Sequence, residues 1–295
     1  MNQSLEQDAE RLTSLLHGYR RVVVAFSGGV DSSVVAAACQ RARLDFVCAI
    51  TAQSASVPSW QIETACAVAA EIGVPHQVVQ TGELERLDYQ RNDSNRCFYC
   101  KDTLYAAISE VIRSVVDRDG EEVTVVSGTN HDDLGDHRPG ITAGQRRQVV
   151  APLAEMGFGK SKVRDLARHF GLSNHDLPAS PCLASRIAYG VEVTSQRLKK
   201  IEQAETWLNS RGVTECRVRL HQDELARIEV PRNLLEFTMK LQTDCDLTGQ
   251  FRQFGFSYVT LDMEGFQSGK LNRTIVPLEL PKHCKEKGTS TYEHG

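Results

Sequence analysis

Residues 24–33 read Val-Ala-Phe-Ser-Gly-Gly-Val-Asp-Ser-Ser, and this stretch decides the fold of the chain. The apolar run Arg21 to Phe26 predicts a buried strand, and the run Val34 to Cys39 predicts the start of a helix. A glycine turn between a strand and a helix offers unpaired backbone N–H groups and the positive end of the helix dipole, and both favour phosphate. The stretch therefore predicts a phosphate-binding loop.

The side chains of this loop suit a metal-bound triphosphate. Its predicted phosphate contacts are Ser27, Gly28, Gly29, Ser32 and Ser33. Glycine permits a close backbone approach and a positive φ, and the hydroxyl groups add donors. The loop has no lysine, unlike the GxxxxGK(S/T) nucleotide loop, and Asp31 instead supplies a carboxylate suited to Mg²⁺.

The loop resembles the SGGxDS pyrophosphate loop of the PP-loop ATPases. This resemblance implies that ATP is cleaved between its α- and β-phosphates, that a substrate oxygen is adenylated, and that a nitrogen or sulfur nucleophile displaces AMP. The alternative is an ordinary glycine turn before a helix, against which the length of the match and its context both argue.

The composition is that of a soluble globular protein, with 41% hydrophobic and 24% charged residues in a chain of 295. This length suits one large or two ordinary domains. The net charge of −4 gives no overall basic footprint for nucleic acid, although a local basic groove stays open. No apolar run approaches the ~20 residues of a membrane span, and Met1–Arg11 lacks the apolar core of a signal peptide, so we expect a cytoplasmic protein.

The first half of the chain alternates strands and helices. The predicted strands, rich in valine and isoleucine, are 21–26, 45–51, 76–81 and 122–127. The predicted helices are 31–42, 59–73 and 101–116. This alternation predicts an α/β fold with a parallel sheet, helices on both faces, and ligands at the carboxyl ends of the strands. We expect a PP-loop domain of the adenine nucleotide alpha hydrolase type over residues 1–186.

A smaller α+β domain is expected over residues 187–275, with a role in substrate binding or oligomerisation, and a polar tail over residues 276–295. Thr194 predicts the N-cap of a helix that ends at Ser210. The predicted strands of this domain are 216–220, 224–230 and 256–262, and a second helix starts at Asn233.

A CxxC motif lies in Arg96-Cys97-Phe98-Tyr99-Cys100-Lys101, and its cationic neighbours favour thiolates. Two thiolates at this spacing can share one metal, so a third ligand has to come from elsewhere in the chain. Cys182 is the best candidate because it lies in an irregular segment that contains proline, beside Arg186. The other six cysteines sit in apolar patterns or lack partners at ligand spacing, and are expected to be structural.

Three thiolates leave one iron of a [4Fe–4S] cluster without a protein ligand, and that open iron could hold an extra sulfide. The alternatives for the CxxC motif are a redox pair, half of a zinc site, or coincidence. Nine irregularly spaced cysteines in a cytoplasmic chain indicate reduced thiols, a metal or a cluster rather than a disulfide framework.

Several motifs beyond the loop carry a further resemblance. They are Asp-His-Arg-Pro-Gly at 136–140, Lys-Ser-Lys-Val-Arg at 160–164, Ser-Arg at 185–186 with Tyr-Gly at 189–190, Cys-Arg-Val-Arg-Leu-His at 216–221, Ala-Arg-Ile-Glu at 226–229 and Leu-Asp-Met-Glu-Gly-Phe-Gln-Ser-Gly at 261–269. Together with the loop, and over roughly residues 21–272, the chain resembles the LarE-type ATP-dependent sulfur transferases of nickel-pincer nucleotide synthesis.

This resemblance implies that one carboxylate of pyridinium-3,5-biscarboxylic acid mononucleotide is adenylated and converted to a thiocarboxylate. It implies ATP, Mg²⁺ and a sulfide source as reactants and cofactors, no membrane partner, and a homo-oligomer, a hexamer, as the assembly. Some members of the family sacrifice one cysteine, at the position of Pro181 here, and lack the CxxC motif. The resemblance therefore favours the branch in which Cys97, Cys100 and Cys182 hold a [4Fe–4S] cluster that donates sulfide.

The remaining roles follow from the resemblance and from position together. We expect Asp31 and Asp133 to bind Mg²⁺, with Asp132 and Asp136 as near alternatives. Lys160 resembles the family lysine that meets phosphate; the alternative is a surface cation. The arginines expected to bind the phosphate and carboxylates of the substrate are Arg138, Arg186, Arg217 and Arg219. Glu205 and Glu229 match acidic positions of the family. The alternatives are a solvated strand face for the arginines and a surface position for Glu205.

Three other functions compete with this interpretation. A tRNA thiolase can also use a PP-loop and three cysteines, but the acidic net charge and the lack of an obvious RNA-binding segment count against it. An amidating ligase, such as the ATPase unit of a GMP or NAD synthetase, has no use for the three cysteines. An iron–sulfur storage or regulatory protein would not need Asp31 and the loop serines.

Overall fold

The computed structural model describes residues 3–115, 122–135, 139–178 and 180–267. The strands are β1 Arg21–Ala25, β2 Phe46–Gln53, β3 His76–Gln80, β4 Thr124–Ser127, β5 Arg217–Leu220, β6 Leu225–Glu229 and β7 Tyr258–Leu261. The helices are α1 Gln3–His17, α2 Val30–Arg41, α3 Ser59–Ile72, α4 Leu87–Gln90, α5 Arg96–Val115, α6 Pro139–Arg146, α7 Pro152–Glu155, α8 Lys160–His169, α9 Ser195–Ser210, α10 Leu235–Cys245 and α11 Leu247–Phe254.

The first sheet is parallel, with the strand order β3-β2-β1-β4. Because side chains alternate along a strand, Val22 and Val24 pack into a core with α1, α2 and α8, while Val23 faces the opposite side. There it joins Ile50 of β2 and Ile108 of α5. The predicted α/β fold, a parallel sheet with helices on both faces, is confirmed.

A second, smaller sheet follows with the order β5-β6-β7. β5 and β6 are antiparallel, whereas β6 and β7 are parallel. As predicted, Thr194 caps α9, since its hydroxyl oxygen accepts from Arg197 N at 3.2 Å. The core under this sheet also includes Tyr89, Leu183 and Ala184, so segments from earlier in the chain pack into it.

The predicted strands lie within two residues of the observed ones at each end, but some helices differ. α5 starts at Arg96 rather than Lys101, because Asp93 accepts from Asn95 N at 2.7 Å and forms a polar turn directly before it. The helices that were not predicted are α1, α4, α6, α7, α8 and α11, and α10 is preceded by a 3₁₀ turn, Arg232–Leu234. The predicted tail lies outside the described residues. None of the helices in the described ranges is long and apolar enough to span a membrane.

Candidate functional site

The predicted phosphate loop lies at the carboxyl end of β1 and leads into α2. Gly28 has a φ of +71°, and Ser27 is the exposed hydroxyl of the loop. Ser32 and Ser33 are buried, and their hydroxyls donate to the carbonyl of Gly29 at 3.0 and 2.9 Å. Both hydroxyls therefore stabilise the shape of the loop, and their contacts to phosphate stay a prediction.

The side chain of Asn174 also stabilises the phosphate loop, and it was not predicted from the sequence. Its Nδ2 donates to the Gly28 carbonyl at 2.8 Å and to Ser33 Oγ at 2.9 Å. The side chain is buried, and within the described residues its Oδ1 has no hydrogen-bond partner. No sequence signal could have found it, because 141 positions separate Asn174 from Ser33.

Gly28→Ala should weaken ATP binding and destabilise the fold more than a matched change, Gly73→Ala. Both glycines have a left-handed φ, so alanine costs roughly 1–2 kcal/mol at either position. A Cβ at Gly28 would lie 2.7 Å from Ala65 Cα, whereas nothing lies within 4 Å at Gly73. Overpacking then adds roughly 1–3 kcal/mol at Gly28 alone. Thermal unfolding of the two variants measures the difference in stability. Equal losses of stability would contradict the close approach of Gly28 to Ala65.

The two predicted Mg²⁺ ligands lie beside each other at the carboxyl ends of β1 and β4. Asn130 joins them: its Nδ2 donates to Asp31 Oδ1 at 3.0 Å, and its Oδ1 accepts from Asp133 N at 3.2 Å. Asn130 is fully buried and was not predicted, although it follows the same strand end as Asp133. Two carboxylates beside a phosphate loop suit Mg²⁺, which takes its other ligands from phosphates and water.

Burial raises the pKa of Asp31, and the neighbouring charge of Asp133 raises it further, against the lowering effect of the Asn130 hydrogen bond. A nearby cation stabilises the charged form of such a carboxylate. Lys160 supplies one, since its Nζ lies 3.7 Å from Asp133 Oδ1. The pair therefore sits where a metal ion would relieve charge repulsion.

Lys160 opens α8 at the edge of this carboxylate site. The side chain of Asp132 accepts from Lys160 N at 2.8 Å and so stabilises the start of the helix, which gives Asp132 a structural role. Lys160 is exposed, as a residue that meets a phosphate must be. Asp136 and Arg138 lie outside the described residues and stay predictions.

The three predicted cysteines lie within electrostatic range of one another, since Cys182 and Cys97 both act on Cys100. Cys97 and Cys100 occupy the first two turns of α5, and Cys182 lies at the start of a 3₁₀ turn, Leu183–Arg186. Cys97 is exposed, while the other two are half-buried. Among the described residues every cysteine is a free thiol.

The electrostatics of Cys100 correct one expectation from the sequence. Burial raises the pKa of the Cys100 thiol to about 12, and the charges of Cys182 and Glu83 raise it further, so the nearby Lys101 does not make it a thiolate. A metal bound here would displace the proton outright.

Four of the predicted arginine and glutamate residues form two buried pairs. Arg186 pairs with Glu205 through Nε at 3.1 Å, and Glu205 Oε1 also accepts from Val218 N at 3.0 Å. Arg219 pairs with Glu229 through Nη2 at 2.9 Å. Their guanidinium groups are therefore already committed to carboxylates.

Arg217 differs from these two arginines. It stacks on Phe266 and donates to the Cys216 carbonyl, and it forms no ion pair with a carboxylate of the described residues. Burial lowers its pKa, and the charge of Arg186 lowers it further. A half-buried cation of this kind gains from an anionic ligand, which makes Arg217 the best-placed of the three to bind one.

Two further groups near the thiols were not predicted. Glu83 is only 2% exposed, and its Oε1 accepts from the hydroxyls of Ser54 and Ser56. Tyr89 is 1% exposed and lies within electrostatic range of Cys182 and Cys100. Within the described chain, Glu83 Oε2 and Tyr89 Oη have no hydrogen-bond partner. Both residues look like ordinary surface positions in the sequence.

A cavity of about 500 Å³ opens beyond the carboxyl ends of β2 and β3. Glu202 of α9 reaches its rim and accepts from Ser59 N at 2.7 Å, so the smaller domain helps to line it. Glu63 lines it as well. Because these two carboxylates repel phosphate, the Ser27 loop is the better place for the phosphates of a nucleotide.

Comparison with known proteins extends these findings. Residues 10–182 match the family model of NAD synthase. An uncharacterized protein of Synechocystis sp. is 40% identical over 271 residues, which cover 92% of this chain and 99% of that protein. The pyridinium-3,5-bisthiocarboxylic acid mononucleotide synthase of Lactiplantibacillus plantarum is 32% identical over 274 residues, which cover 91% of this chain and 95% of that synthase.

A third relative matches over a shorter stretch. The tRNA-specific 2-thiouridylase of Trichlorobacter lovleyi is 30% identical over 181 residues, which cover 52% of this chain and 51% of that enzyme. The second sheet, β5-β6-β7, lies beyond the part of the chain that matches the NAD synthase model.

Proposed function

The chain belongs to the NAD synthase-like PP-loop family, and from this premise we propose that it is an ATP-dependent, AMP-forming sulfurtransferase that acts on a pyridinium carboxylate mononucleotide. The proposed product is the thiocarboxylate. The synthase from Lactiplantibacillus plantarum is named for such a product, and the likeness to it extends over 91% of this chain.

The proposal rests mainly on one observation. The segment that contains Cys182, residues 180–191 (the Cys182 segment), contacts the same edge of the first sheet as the phosphate loop. Leu183 N donates to the Ser56 carbonyl at 2.8 Å, and Ser56 follows the carboxyl end of β2. β2 is the direct neighbour of β1, which ends at the loop. Groups for activating a carboxylate and groups for handling sulfur therefore lie along one edge.

The chemistry needs both sets of groups. A carboxylate oxygen of the substrate attacks the α-phosphate of ATP, pyrophosphate leaves, and an acyl-adenylate forms. Asp31 and Asp133 would hold the Mg²⁺ that offsets the charge of the departing pyrophosphate, and Lys160 would meet a phosphate oxygen. Sulfide then attacks the acyl carbon and AMP leaves, because AMP is a much better leaving group than the original carboxylate oxygen.

We propose a [4Fe–4S] cluster for the site formed by Cys97, Cys100 and Cys182 (the thiol site), because cysteine thiolates are the usual ligands of such clusters. In the described residues no group of three or more His, Cys, Asp or Glu side chains is placed to hold a single metal ion. A cluster makes a different demand, since each thiolate binds its own iron atom and the ligands surround a larger centre. Cys97, Cys100 and Cys182 would hold it, and when bound it would supply sulfide from the iron that lacks a protein thiolate.

The substrate would be held through its anionic groups. We assign the phosphate or a carboxylate of the mononucleotide to Arg217, since Arg186 and Arg219 are paired with glutamates. Arg138 stays a prediction. The proposed assembly, a hexamer, rests on the family resemblance alone.

The competing functions each match only part of the chain. The match to the thiouridylase covers 52% of this chain. The match to the NAD synthase model ends at residue 182, within the segment that carries Cys182. An amidating enzyme would use ammonia and leave the three thiols without a role. The proposed function uses both domains and all three cysteines.

The test of the proposal is substrate choice. With pyridinium-3,5-biscarboxylic acid mononucleotide, ATP, Mg²⁺ and a sulfide source, the protein should release AMP and pyrophosphate in equal amounts, and it should not do so with tRNA. Phosphate-release assays and mass spectrometry of the nucleotide measure this. If tRNA is thiolated, and binds with a steep dependence on salt, the tRNA thiolase interpretation replaces ours. If only ammonia supports turnover, the enzyme is an amidating ligase.

A further inference from the structure

We propose that Arg96 and Arg186 are positioning residues for the three thiols: Arg96 ties the start of α5 to the Cys182 segment, Arg186 fixes the Cys182 backbone, and neither binds the substrate. The inference deepens the proposed function and rests on it only for the use made of the thiols. The arrangement itself is argued from the contacts of the free protein.

The Cys182 segment needs such support because it is irregular. Outside helices and strands, a backbone has no repeating hydrogen bonds to fix it, so side chains have to provide them. Leu183 N is tied to the Ser56 carbonyl, and the Cys182 carbonyl accepts from Ser185 N at 2.9 Å. The remaining anchors come from the two arginines.

Arg96 spans the gap between the two cysteine-bearing segments. It is only 6% exposed, and its Nη1 donates to the Ala184 carbonyl at 2.7 Å, two residues after Cys182. The same nitrogen donates to Asn92 Oδ1 at 2.6 Å. Since Arg96 directly precedes Cys97, these bonds fix the distance between the CxxC motif and the third cysteine.

Asn92 holds Arg96 in place and extends the contact along the segment. It is fully buried, and its Nδ2 donates to the carbonyls of Ala188 at 2.8 Å and Val191 at 2.9 Å. Its backbone carbonyl accepts from Gly190 N at 3.2 Å. Asn92 therefore connects both sides of the thiol site through one side chain and one peptide group.

The charge of Arg96 supports the same role. Burial of a guanidinium is unfavourable unless acceptors or an anion compensate it, and Arg96 forms no ion pair with any carboxylate that the structure describes. Its Nη2 lies 4.0 Å from Cys97 Sγ, and Cys182 also acts on it electrostatically. The guanidinium of Arg96 therefore contacts the sulfur of Cys97 as well as the backbone that follows Cys182.

Arg186 anchors Cys182 from the other end. It is 2% exposed, and Nη1 donates to the carbonyls of Pro181 and Cys182 and to Ser185 Oγ. Nε and Nη2 are held by the two carboxylate oxygens of Glu205 at 3.1 and 3.2 Å. A substrate could reach this guanidinium only by dismantling the segment that carries Cys182.

The experiment compares Arg96→Gln and Arg186→Gln with the matched control Arg217→Gln. Anaerobic protein without iron is treated with iodoacetamide, and alkylation of each cysteine is followed by peptide mass spectrometry. Cys66, which is exposed, gives the reference rate. Cys39 reports unfolding, since it is buried and its burial raises the pKa of its thiol to about 12.

We expect both glutamine variants to change the alkylation rate of Cys182 at least fivefold relative to that of Cys66. Both should also bind less iron on reconstitution. Their KM for the pyridinium biscarboxylate mononucleotide should stay within twofold of the wild-type value. Arg217→Gln should do the reverse, raising KM while leaving the thiol rates unchanged. A raised KM for Arg186→Gln with an unchanged Cys182 rate would overturn the inference.

Lysine variants test the same inference if a glutamine variant unfolds and its Cys39 becomes alkylated. Lysine retains the charge but loses the planar fork of donors, so Arg186→Lys and Arg96→Lys should still alter the Cys182 rate at least twofold with Cys39 protected. Unchanged rates in the lysine variants would also overturn the inference. If the protein fails to adenylate the mononucleotide, the alkylation result stands on its own, so the two failures can be told apart.

Discussion

Asp31→Asn is expected to reduce the release of AMP and pyrophosphate by roughly 10²–10³-fold while the protein remains folded. Asp31 is the carboxylate of the phosphate loop, and it lies in the first turn of α2 with Asn130 holding Oδ1 at 3.0 Å. Asparagine has almost the same shape but no charge, so it removes the attraction for Mg²⁺ and leaves the packing unchanged. The amide can still meet Asn130, which protects the fold.

The measurement is the initial rate of pyrophosphate release with saturating substrate, together with the thermal unfolding midpoint. Asp165→Asn is the matched control, because Asp165 is an exposed carboxylate on α8 whose partner is Arg168 at 3.0 Å. That exposed pair contributes roughly 0–1 kcal/mol and should leave the rate unchanged. Formation of ADP and phosphate by the wild type would contradict cleavage between the α- and β-phosphates.

The sequence predicted the parts of the site that depend on short-range patterns. The glycine loop, the strand ends and the CxxC motif each lie within a few residues of a recognisable signal, and the parallel sheet follows from the alternation of strands and helices. Asp31 and Asp133 were predicted to lie together because both follow strands that end at the same sheet edge, whereas their binding of Mg²⁺ stays a prediction. The observed distances between them and Asn130 agree with that reasoning.

The rest depends on contacts between distant parts of the chain. Asn174 reaches the loop across 141 positions, and nothing in its own neighbourhood marks it. Arg186 was expected to bind substrate because a motif contains it, but only the folded chain shows that Glu205 and three acceptors in its own segment occupy it. The thiol state of Cys100 was misjudged for the same reason, since Lys101 is visible in the sequence and burial is not.

The second large effect concerns the source of sulfur. Replacing Cys97, Cys100 or Cys182 singly with alanine is expected to abolish thiocarboxylate formation, while adenylation persists. The proposed mechanism divides the site into two parts. ATP would be activated at the loop that contains Asp31, whereas Cys97 and Cys100 lie on α5 and Cys182 directly before the 3₁₀ turn Leu183–Arg186. Cys216→Ala is the matched control, because Cys216 is a buried thiol directly before β5, and its Sγ lies 4.0 Å from the Glu205 carbonyl oxygen and 3.7 Å from Asn209 Oδ1.

Pyrophosphate release and thiocarboxylate formation are measured separately, with iron and sulfide analysis of each reconstituted variant. The three variants should lose iron and sulfur transfer together. Their rate of pyrophosphate release in a single turnover, one pyrophosphate per site, should stay within about threefold of wild type, because the acyl-adenylate still forms but is not consumed. The control should keep all three properties, although removal of a buried side chain can lower its unfolding temperature. Loss of pyrophosphate release in the thiol variants would show that the two halves of the site are not separate.

In the rival mechanism one cysteine of the chain is consumed as the sulfur source. The two mechanisms differ in what happens to the mass of the chain. If the Cys182 sulfur is transferred, its Cβ–Sγ bond breaks, a dehydroalanine remains, and the chain loses the mass of one H₂S after a single turnover. Delivery of sulfide from a cluster leaves the chain mass unchanged and permits repeated turnover when sulfide is supplied. Intact-protein mass spectrometry after turnover therefore decides between them. Dehydroalanine at residue 182, with Cys97→Ala and Cys100→Ala still active, would show that the CxxC motif holds no sulfur-donating cluster, because only a cluster makes sulfur transfer depend on all three thiols.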